Sequence, residues 1–146
     1  MPNPFKSVVL NKPPMSVFDL SHYKLLTCDM AELIPVMCLE AMPSDIFQIS
    51  NEIIVRFRPL VAPILHEINV FVHYFFVPYR LIWSSWEDFI TGGEDGSDTS
   101  TLPTWNVTTN TVGSLWDYLG FPIGVDAAGA RPIAFPQYAY NQIYND

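Results

Sequence analysis

The sequence predicts a mainly-β protein, an antiparallel sheet interrupted by short helical and loop excursions. Three observations favour this class. Residues 25–77 carry stretches in which alternate side chains are apolar, as is typical of strands. Helical spacing of apolar residues is confined to short stretches after Pro78. Strands and helices do not alternate along the chain, which argues against a parallel, doubly wound sheet.

Length and composition set the limits of this prediction. The 146 residues suffice for one domain with a core, and the 49% hydrophobic content separates the chain from disordered proteins. Thirteen prolines against seven glycines indicate extended pieces and turns rather than long helices. No window offers the roughly 18 consecutive apolar residues that a membrane-spanning helix needs, and the N-terminal residues lack the apolar region of a secretory signal.

The N-terminal half is predicted as an arm followed by strands. Residues 1–19 contain four prolines and are expected to form an extended arm that lies on another surface. A first strand region begins at Leu25, where Pro35 restricts it to an edge or a bulge. The sequence MPSD at 42–45 predicts a turn, and residues 46–58 a second strand region.

The stretch HEINVFVHYFFVPYR (66–80) predicts a third strand, which ends at Pro78. One of its faces is wholly apolar and the other begins polar and becomes aromatic. We expect the second face to contact other residues over its C-terminal half. The apolar face holds Ile68, Val70, Val72, Tyr74 and Phe76; the other holds Glu67, Asn69, Phe71, His73 and Phe75.

Short helices are predicted in the C-terminal half. Residues 81–91 have helical apolar spacing, with Gly92 as a C-terminal cap, and residues 92–113 have the composition of a surface loop. Ser114 and Asp117 have the spacing of a capping box, opening a short helix that Gly120 closes. A last helix is predicted from Pro136 onward, and its apolar face consists of Tyr140, Ile143 and Tyr144.

Charge and thiol content narrow the functional classes. With a net charge of −8 and seven basic residues, the chain is not expected to be the main neutraliser of a nucleic acid. Arg56 and Arg58 on one strand face, together with Arg80, are candidates for a contact with nucleic acid or with an acidic subunit; ordinary surface charge is the alternative. On one extended strand, Cys28 and Cys38 would be roughly 33 Å apart, so they could form a disulfide only if the chain turns back between them. Because cysteines are usually buried, we expect both to be buried free thiols.

No catalytic or metal site is predicted. His66 and His73 face opposite sides of a strand, so they do not share an ion. The acidic loop with Glu94, Asp95 and Asp98 lacks the spacing of a calcium-binding loop and is expected to be solvated. No nucleophile signature is present. We therefore expect no enzyme, no cofactor and no metal.

Several segments resemble the N-terminal part of the major capsid protein of Microviridae, the small circular single-stranded DNA phages, in its gokushovirus branch. They are residues 18–45 (FDLSHYKLLTCDMAELIPVMCLEAMPSD), 58–83 (RPLVAPILHEINVFVHYFFVPYRLIW), 86–93 (WEDFITGG) and the later 136–146 (PQYAYNQIYND). The resemblance implies a partial jelly-roll β-sandwich, with an arm at 1–19, strands at about 25–77 and a helix and loop insertion at about 81–146.

The resemblance also implies a structural subunit of a small icosahedral phage capsid, assembled in the bacterial cytoplasm and located in the virion. Its implied partners are identical subunits, a small basic DNA-binding protein and nearby packaged single-stranded DNA, without a membrane. Members of the family are longer, so we expect residues 20–146 to be a fragment of the capsid domain. By themselves, residues 1–146 are expected to aggregate or stay partly unfolded because strand edges and aromatic side chains would be exposed.

A carbohydrate-binding β-sandwich module is the rival hypothesis. In that case Trp83, Trp105 and Trp116 would be exposed platforms on which sugar rings stack. Electron microscopy or size-exclusion chromatography of the full-length product separates the two, because a capsid subunit forms closed particles and a binding module forms small species that glycans shift.

Overall fold

The structure is a computed structural model that describes residues 11, 14–105, 110–124 and 133–145. Four helices lie in these ranges. They are α1 (Tyr79–Ile82), α2 (Trp86–Thr91), α3 (Leu115–Tyr118) and α4 (Phe135–Asn145). The described residues form no β-sheet, and their strand-like pairing consists of one isolated antiparallel bridge between Thr104 and Ile133.

The prediction of a mainly-β jelly-roll sandwich is therefore wrong for the described chain. Within residues 14–77, the backbone–backbone hydrogen bond that the structure shows runs from Asp45 N–H to Met42 C=O, and it closes a turn. A strand needs a neighbouring strand to pair its N–H and C=O groups, and residues 25–77 have no such ladder. The period-two pattern indicates which side chains share a face, but it does not supply the pairing partner.

The turn at Met42–Asp45 is where the sequence predicts it. Asp45 N–H donates to Met42 C=O at 3.1 Å, and the Asp45 carboxylate accepts from Met42 N–H at 2.9 Å. Ser44 has φ of 76°, the left-handed conformation that follows proline in a type II turn. Residue 43 is that proline, so local chemistry alone explains this turn.

The predicted helix over 81–91 is two helices. Trp83 has an extended backbone (φ −146°, ψ 113°), which ends α1 and separates it from α2. The second helix nevertheless ends at Gly92 as predicted: Gly92 adopts φ of 86°, and its N–H donates to Asp88 C=O at 2.8 Å. The break has a packing reason, since it turns the Trp83 ring toward Phe135 of α4.

The first aromatic cluster joins α1, α2 and α4. Phe135, the first residue of α4, is 7% exposed and is the centre of the cluster. Its ring lies 4.8 Å from Tyr79, 5.8 Å from Trp83 and 6.0 Å from Trp86. Phe89 completes the cluster, with its ring centroid 5.4 Å from that of Trp83. These rings hold together elements far apart in sequence.

The second aromatic cluster lies around α3. The ring centroids of Trp105 and Trp116 are 4.1 Å apart, and Phe121 lies 5.2 Å from Trp105. Ser114 opens α3 as predicted, accepting weakly from Asp117 N–H at 3.5 Å, and Gly120 follows the helix with φ of 88°. In a capping box the residue at the position of Asp117 accepts a hydrogen bond from the N–H of Ser114. Here the Asp117 carboxylate accepts instead from Gly113 N–H, one residue earlier, at 2.8 Å.

We call the described residues of 79–124 and 133–145 the helical unit. Backbone contacts also join the two parts of this unit. Ala134 N–H donates to Pro103 C=O at 2.9 Å, next to the bridge between Thr104 and Ile133. The buried Asn110 side chain donates to Pro122 C=O at 2.8 Å. The last helix follows the prediction closely, beginning at Phe135 just before Pro136. The buried side chains of the described chain thus lie in the C-terminal half.

Candidate functional site

Many of the exposed large apolar side chains of the described residues lie in residues 46–76, which we call the apolar segment. Phe71 is 76% exposed and Phe76 is 80% exposed. Monomeric soluble proteins expose single apolar side chains, but rarely a long contiguous run. Further exposed members are Ile46, Phe47, Ile49, Ile53, Ile54, Val55, Phe57, Leu60, Val61, Ile64, Leu65, Ile68, Val70, Val72, Tyr74 and Phe75. The apolar segment is therefore a candidate contact surface.

Both faces of the 66–76 stretch are exposed. The aromatic face carries His73 between two phenylalanines, with ring centroids 6.4 Å from Phe71 and 6.0 Å from Phe75. On the other face, the Tyr74 hydroxyl donates to the Asn51 side chain at 2.5 Å and so ties this stretch to residues 46–58. Neither face is covered within the described residues.

Residues 24–40 behave differently, and we call them the strap. Three tyrosine hydroxyls of the helical unit fasten the strap to that unit. Tyr118 donates to Thr27 C=O at 2.7 Å, and Tyr140 donates to Leu33 C=O at 2.8 Å. The third bond, from Tyr79 to the Glu40 carboxylate, is 2.7 Å long. Side chains rather than a backbone ladder therefore hold the strap.

Lys24 adds a fourth attachment at the start of the strap. Its ammonium group donates to the Tyr118 carbonyl of the helical unit and, at 3.3 Å, to Pro35 C=O within the strap. Desolvation lowers the pKa of Lys24, and the nearby Asp117 charge opposes this shift. Ile34 and Pro35 are half-buried, whereas the other strap residues are exposed. The strap is thus pinned at a few points along its length.

The strap brings carboxylates close to the tyrosines that hold it. Desolvation, then the hydrogen bond and charge of Glu40, raises the pKa of Tyr79 to about 12. Desolvation and the charge of Glu32 also raise the pKa of Tyr118, and desolvation with Tyr144 and Glu32 raises the pKa of Tyr140. Each hydroxyl therefore keeps its proton, and remains a donor, well above neutral pH.

Alkaline pH should release the strap. When docking raises the pKa of a tyrosine, the protonated hydroxyl stabilises the docked strap. This stabilisation is complete below the pKa of the undocked tyrosine, about 10. It is lost as the pH rises through the pKa of the docked tyrosine. For Tyr79 the window is therefore about pH 10 to 12. Absorbance at 295 nm follows tyrosinate formation, and we expect Glu40→Gln to shift the highest-pH step downward. Glu52→Gln, which changes a carboxylate outside the strap, is the matched control; an equal shift in both variants would contradict the assignment.

The sequence-predicted site residues are not brought into one site. Arg56 and Arg58 lie in the exposed apolar segment, and Arg80 is exposed on α1. The three tryptophans considered as sugar platforms pack on other rings: Trp83 in the first aromatic cluster, and Trp105 with Trp116 in the second. Nothing in this arrangement favours carbohydrate stacking, because these rings are already in contact with other aromatic rings.

The remaining candidates are the two cysteines, possible metal ligands and possible membrane-spanning segments. Cys28 and Cys38 are free thiols as expected, but both are exposed, so the expectation of burial is wrong. The strap on which they lie is held by a few hydrogen bonds, and most of its residues remain exposed. In the part of the chain that the structure describes, no three His, Cys, Asp or Glu residues are grouped to hold a metal ion. The helices found there are all too short or too polar to cross a membrane.

Sequence reasoning does not identify the three tyrosines that hold the strap. The apolar pattern places Tyr140 on a helix face and gives no role to Tyr79 or Tyr118. Their partners are distant: Tyr118 lies 91 positions from Thr27, and Tyr140 lies 107 positions from Leu33. Two of the three acceptors are backbone carbonyls, which every residue possesses, so no pattern of side chains marks them in the sequence.

Comparisons with known proteins agree on one family. The family described as capsid protein (F protein) matches residues 7–146. The capsid protein VP1 of Chlamydia phage 1 is 38% identical over 156 aligned positions, which cover 100% of this chain and 26% of that protein. VP1 of Bdellovibrio phage phiMH2K is 34% identical, covering 90% of this chain and 25% of that protein.

A more distant similarity is to VP1 of Spiroplasma virus 4, 23% identical over 93% of this chain and 25% of that protein. The chain thus spans about a quarter of the length of these curated relatives. No solved structure gives a significant match.

Proposed function

Because the chain belongs to the family of phage capsid proteins (F protein), we propose that it forms part of a structural subunit of a small icosahedral, single-stranded DNA phage capsid. Its role is to bury apolar surface against other protein, and it carries out no catalysis. The proposed location is the virion, after assembly in the host cytoplasm. The proposed partners are further copies of the subunit, a small basic virion protein and packaged DNA.

The observation that carries this proposal is the exposed apolar segment 46–76. Burying its side chains would yield roughly 25 cal/mol for each Å² removed from water, and the described chain leaves this driving force unused. Closed point-group symmetry lets one contact between identical subunits repeat over a whole shell. A carbohydrate-binding module would not need this surface, and its tryptophan platforms are occupied by other rings.

Charge supports a division of roles between this chain and its partners. The net charge of −8 makes the chain a poor neutraliser of DNA phosphates, which a basic partner protein would neutralise instead. The exposed Arg56, Arg58 and Arg80 are proposed to contact DNA or an acidic surface of a neighbouring subunit. The arm at residues 1–19, most of which lies outside the described residues, is proposed as a further contact between subunits.

Electron microscopy of the full-length gene product tests the proposal. Expressed without other proteins or with the basic partner, it should form closed particles of uniform size. A product that stays monomeric at high concentration, and whose elution volume shifts when glycans are added, would contradict the capsid role and support the rival module.

Residues 1–146 by themselves provide a second test. Expressed as a fusion to a soluble carrier and then cleaved from it, they should aggregate or stay partly unfolded, because the apolar segment then has no covering protein. Light scattering and thermal unfolding after cleavage measure this outcome. A soluble monomer with a sharp, cooperative melting transition would contradict it.

A further inference from the structure

We propose that the strap is a conformational link between the two aromatic clusters of the helical unit. With the strap docked, the two clusters unfold together; once the strap is released, the second cluster unfolds separately from the first. The first aromatic cluster lies on α1, α2 and α4, and the second lies around α3. The link is a property of the folded chain itself and does not rest on the proposed function.

The direct connection between the two clusters lies at one place. Among the described residues, the rings of each cluster contact one another, and no ring of one cluster contacts a ring of the other. The backbone joins them where Ala134 N–H donates to Pro103 C=O beside the antiparallel bridge. These positions are close in sequence to Phe135 of the first cluster and Trp105 of the second. A connection at one place leaves a small cluster able to open locally.

The strap doubles back on itself. Ala31 has a φ of 66°, the left-handed conformation that a residue other than glycine adopts mainly in turns. The Lys24 ammonium donates to Pro35 C=O at 3.3 Å, so positions on the two sides of this turn lie close together. We call residues 24–30 the first limb of the strap and residues 32–40 the second limb.

Each limb docks on a different cluster. The first limb is held by α3, because the Tyr118 hydroxyl donates to Thr27 C=O. The second limb is held by the helices of the first cluster, because the Tyr79 hydroxyl donates to the Glu40 carboxylate and α4 donates a further bond. Tyr79 is itself a member of the first cluster, with its ring centroid 4.2 Å from that of Trp86.

Lys24 joins the two limbs at α3. Its ammonium group donates both to Tyr118 C=O on α3 and to Pro35 C=O on the second limb. Because this ammonium is partly desolvated, both carbonyls are needed to offset the cost of withdrawing its charge from water. A path of hydrogen bonds therefore runs from the second cluster through Tyr118, Lys24 and Pro35 to the second limb and the first cluster.

This path makes the stability of each cluster depend on the other. Parts of a protein open locally with their own free energies, and contacts that tie two parts together make them unfold as one unit. Groups in one hydrogen-bonded network also show non-additive effects when they are changed. A bond removed at the first cluster should thus destabilise the second, although the rings of the two clusters do not touch.

Tryptophan signals test the link, because the four tryptophans of the chain are divided between the clusters. Trp83 and Trp86 belong to the first cluster, and Trp105 and Trp116 belong to the second. The full chain, fused to a tryptophan-free carrier and labelled with 5-fluorotryptophan, gives one ¹⁹F signal for each, which single Trp→Phe substitutions assign. In a urea titration of the wild type, we expect the folded signals of all four to disappear at one common midpoint.

Lys24→Met removes the ammonium and keeps a long unbranched side chain. The folded signals of the second cluster should then disappear at a urea concentration roughly 1 M below that of the first cluster, the shift expected for two lost hydrogen bonds. Arg58→Met removes an exposed cation outside the strap and is the matched control. It should keep one common midpoint.

A double variant tests the link from the opposite end. Tyr79→Phe with Tyr140→Phe removes the hydroxyls that hold the second limb and leaves α3 and its bonds unchanged. The midpoint of the second-cluster signals should nevertheless fall below that of the first cluster, an effect that a purely local role of these hydroxyls would not produce. Tyr74→Phe, which removes a tyrosine hydroxyl outside the strap and the helical unit, should give no separation.

Two results would overturn the link. One is a separation of the two sets of signals already in the wild type, a result that does not depend on whether any variant folds. The other is a common midpoint that persists both in Lys24→Met and in the double tyrosine variant, since the clusters would then be joined without the strap.

Discussion

Replacing both Phe71 and Phe76 with aspartate should abolish closed particles of the full-length gene product. The two side chains are 76% and 80% exposed, and each would lose roughly 1.5–3 kcal/mol of burial energy in an assembled contact. Each new carboxylate would also incur a desolvation penalty of several kcal/mol when buried unpaired. Since the loss repeats at every copy of the contact, negative-stain electron microscopy should show free subunits in place of particles.

Val112→Asp is the control for this double variant. Val112 is also an exposed apolar side chain, but it lies in the turn before α3 and outside the apolar segment 46–76. A charge at this position should leave particle number and size unchanged. Normal assembly of the double variant, or equal loss in the control, would show that the apolar segment is not the assembly contact.

Phe135→Ala should unfold the helical unit. Phe135 is 7% exposed and contacts three other rings of the first aromatic cluster. Removing a buried phenylalanine from a core costs about 3–5 kcal/mol, comparable with the lower end of the total stability of a small domain. Urea unfolding followed by tryptophan fluorescence, on the chain fused to a tryptophan-free carrier, should show a midpoint moved to low urea or no cooperative transition.

Tyr144→Ala is the matched control on the same helix. It also truncates an aromatic ring of α4, but that ring is exposed and lies near the end of the helix. Its unfolding midpoint should move by a small fraction of the shift that Phe135→Ala causes. Similar midpoints for the two variants would show that the first aromatic cluster does not carry the stability of the helical unit.

Local chemistry explains which sequence predictions are confirmed. Pro43 followed by Ser44 specifies the turn at 42–45, and Gly92 ends α2. Ser114 precedes the first residue of α3, and Gly120 follows its end. Each of these features depends on residues within a few positions of each other, so a short stretch of sequence contains the whole interaction. The family resemblance is confirmed for the same kind of reason, because contiguous segments carry it.

Non-local pairing explains which sequence predictions are wrong. The alternation over 66–77 identifies a two-faced stretch, but a sheet needs a second strand in register, and the described chain pairs none there. The extended backbone of Trp83, which divides one predicted helix into two, follows from rings on α2 and α4 that draw the indole into their cluster.

The amino-acid order alone was enough to establish the family, the acidic charge, the turn and helix ends, and the apolar character of 46–76. Three further properties emerged with the folded chain: the apolar segment stays exposed, the helical unit holds the core, and three tyrosines fasten the strap. The physical reason is range. Caps and turns act between neighbours in sequence, whereas burial and hydroxyl-to-carbonyl bonds join residues up to 107 positions apart, whose meeting depends on the path of the whole chain.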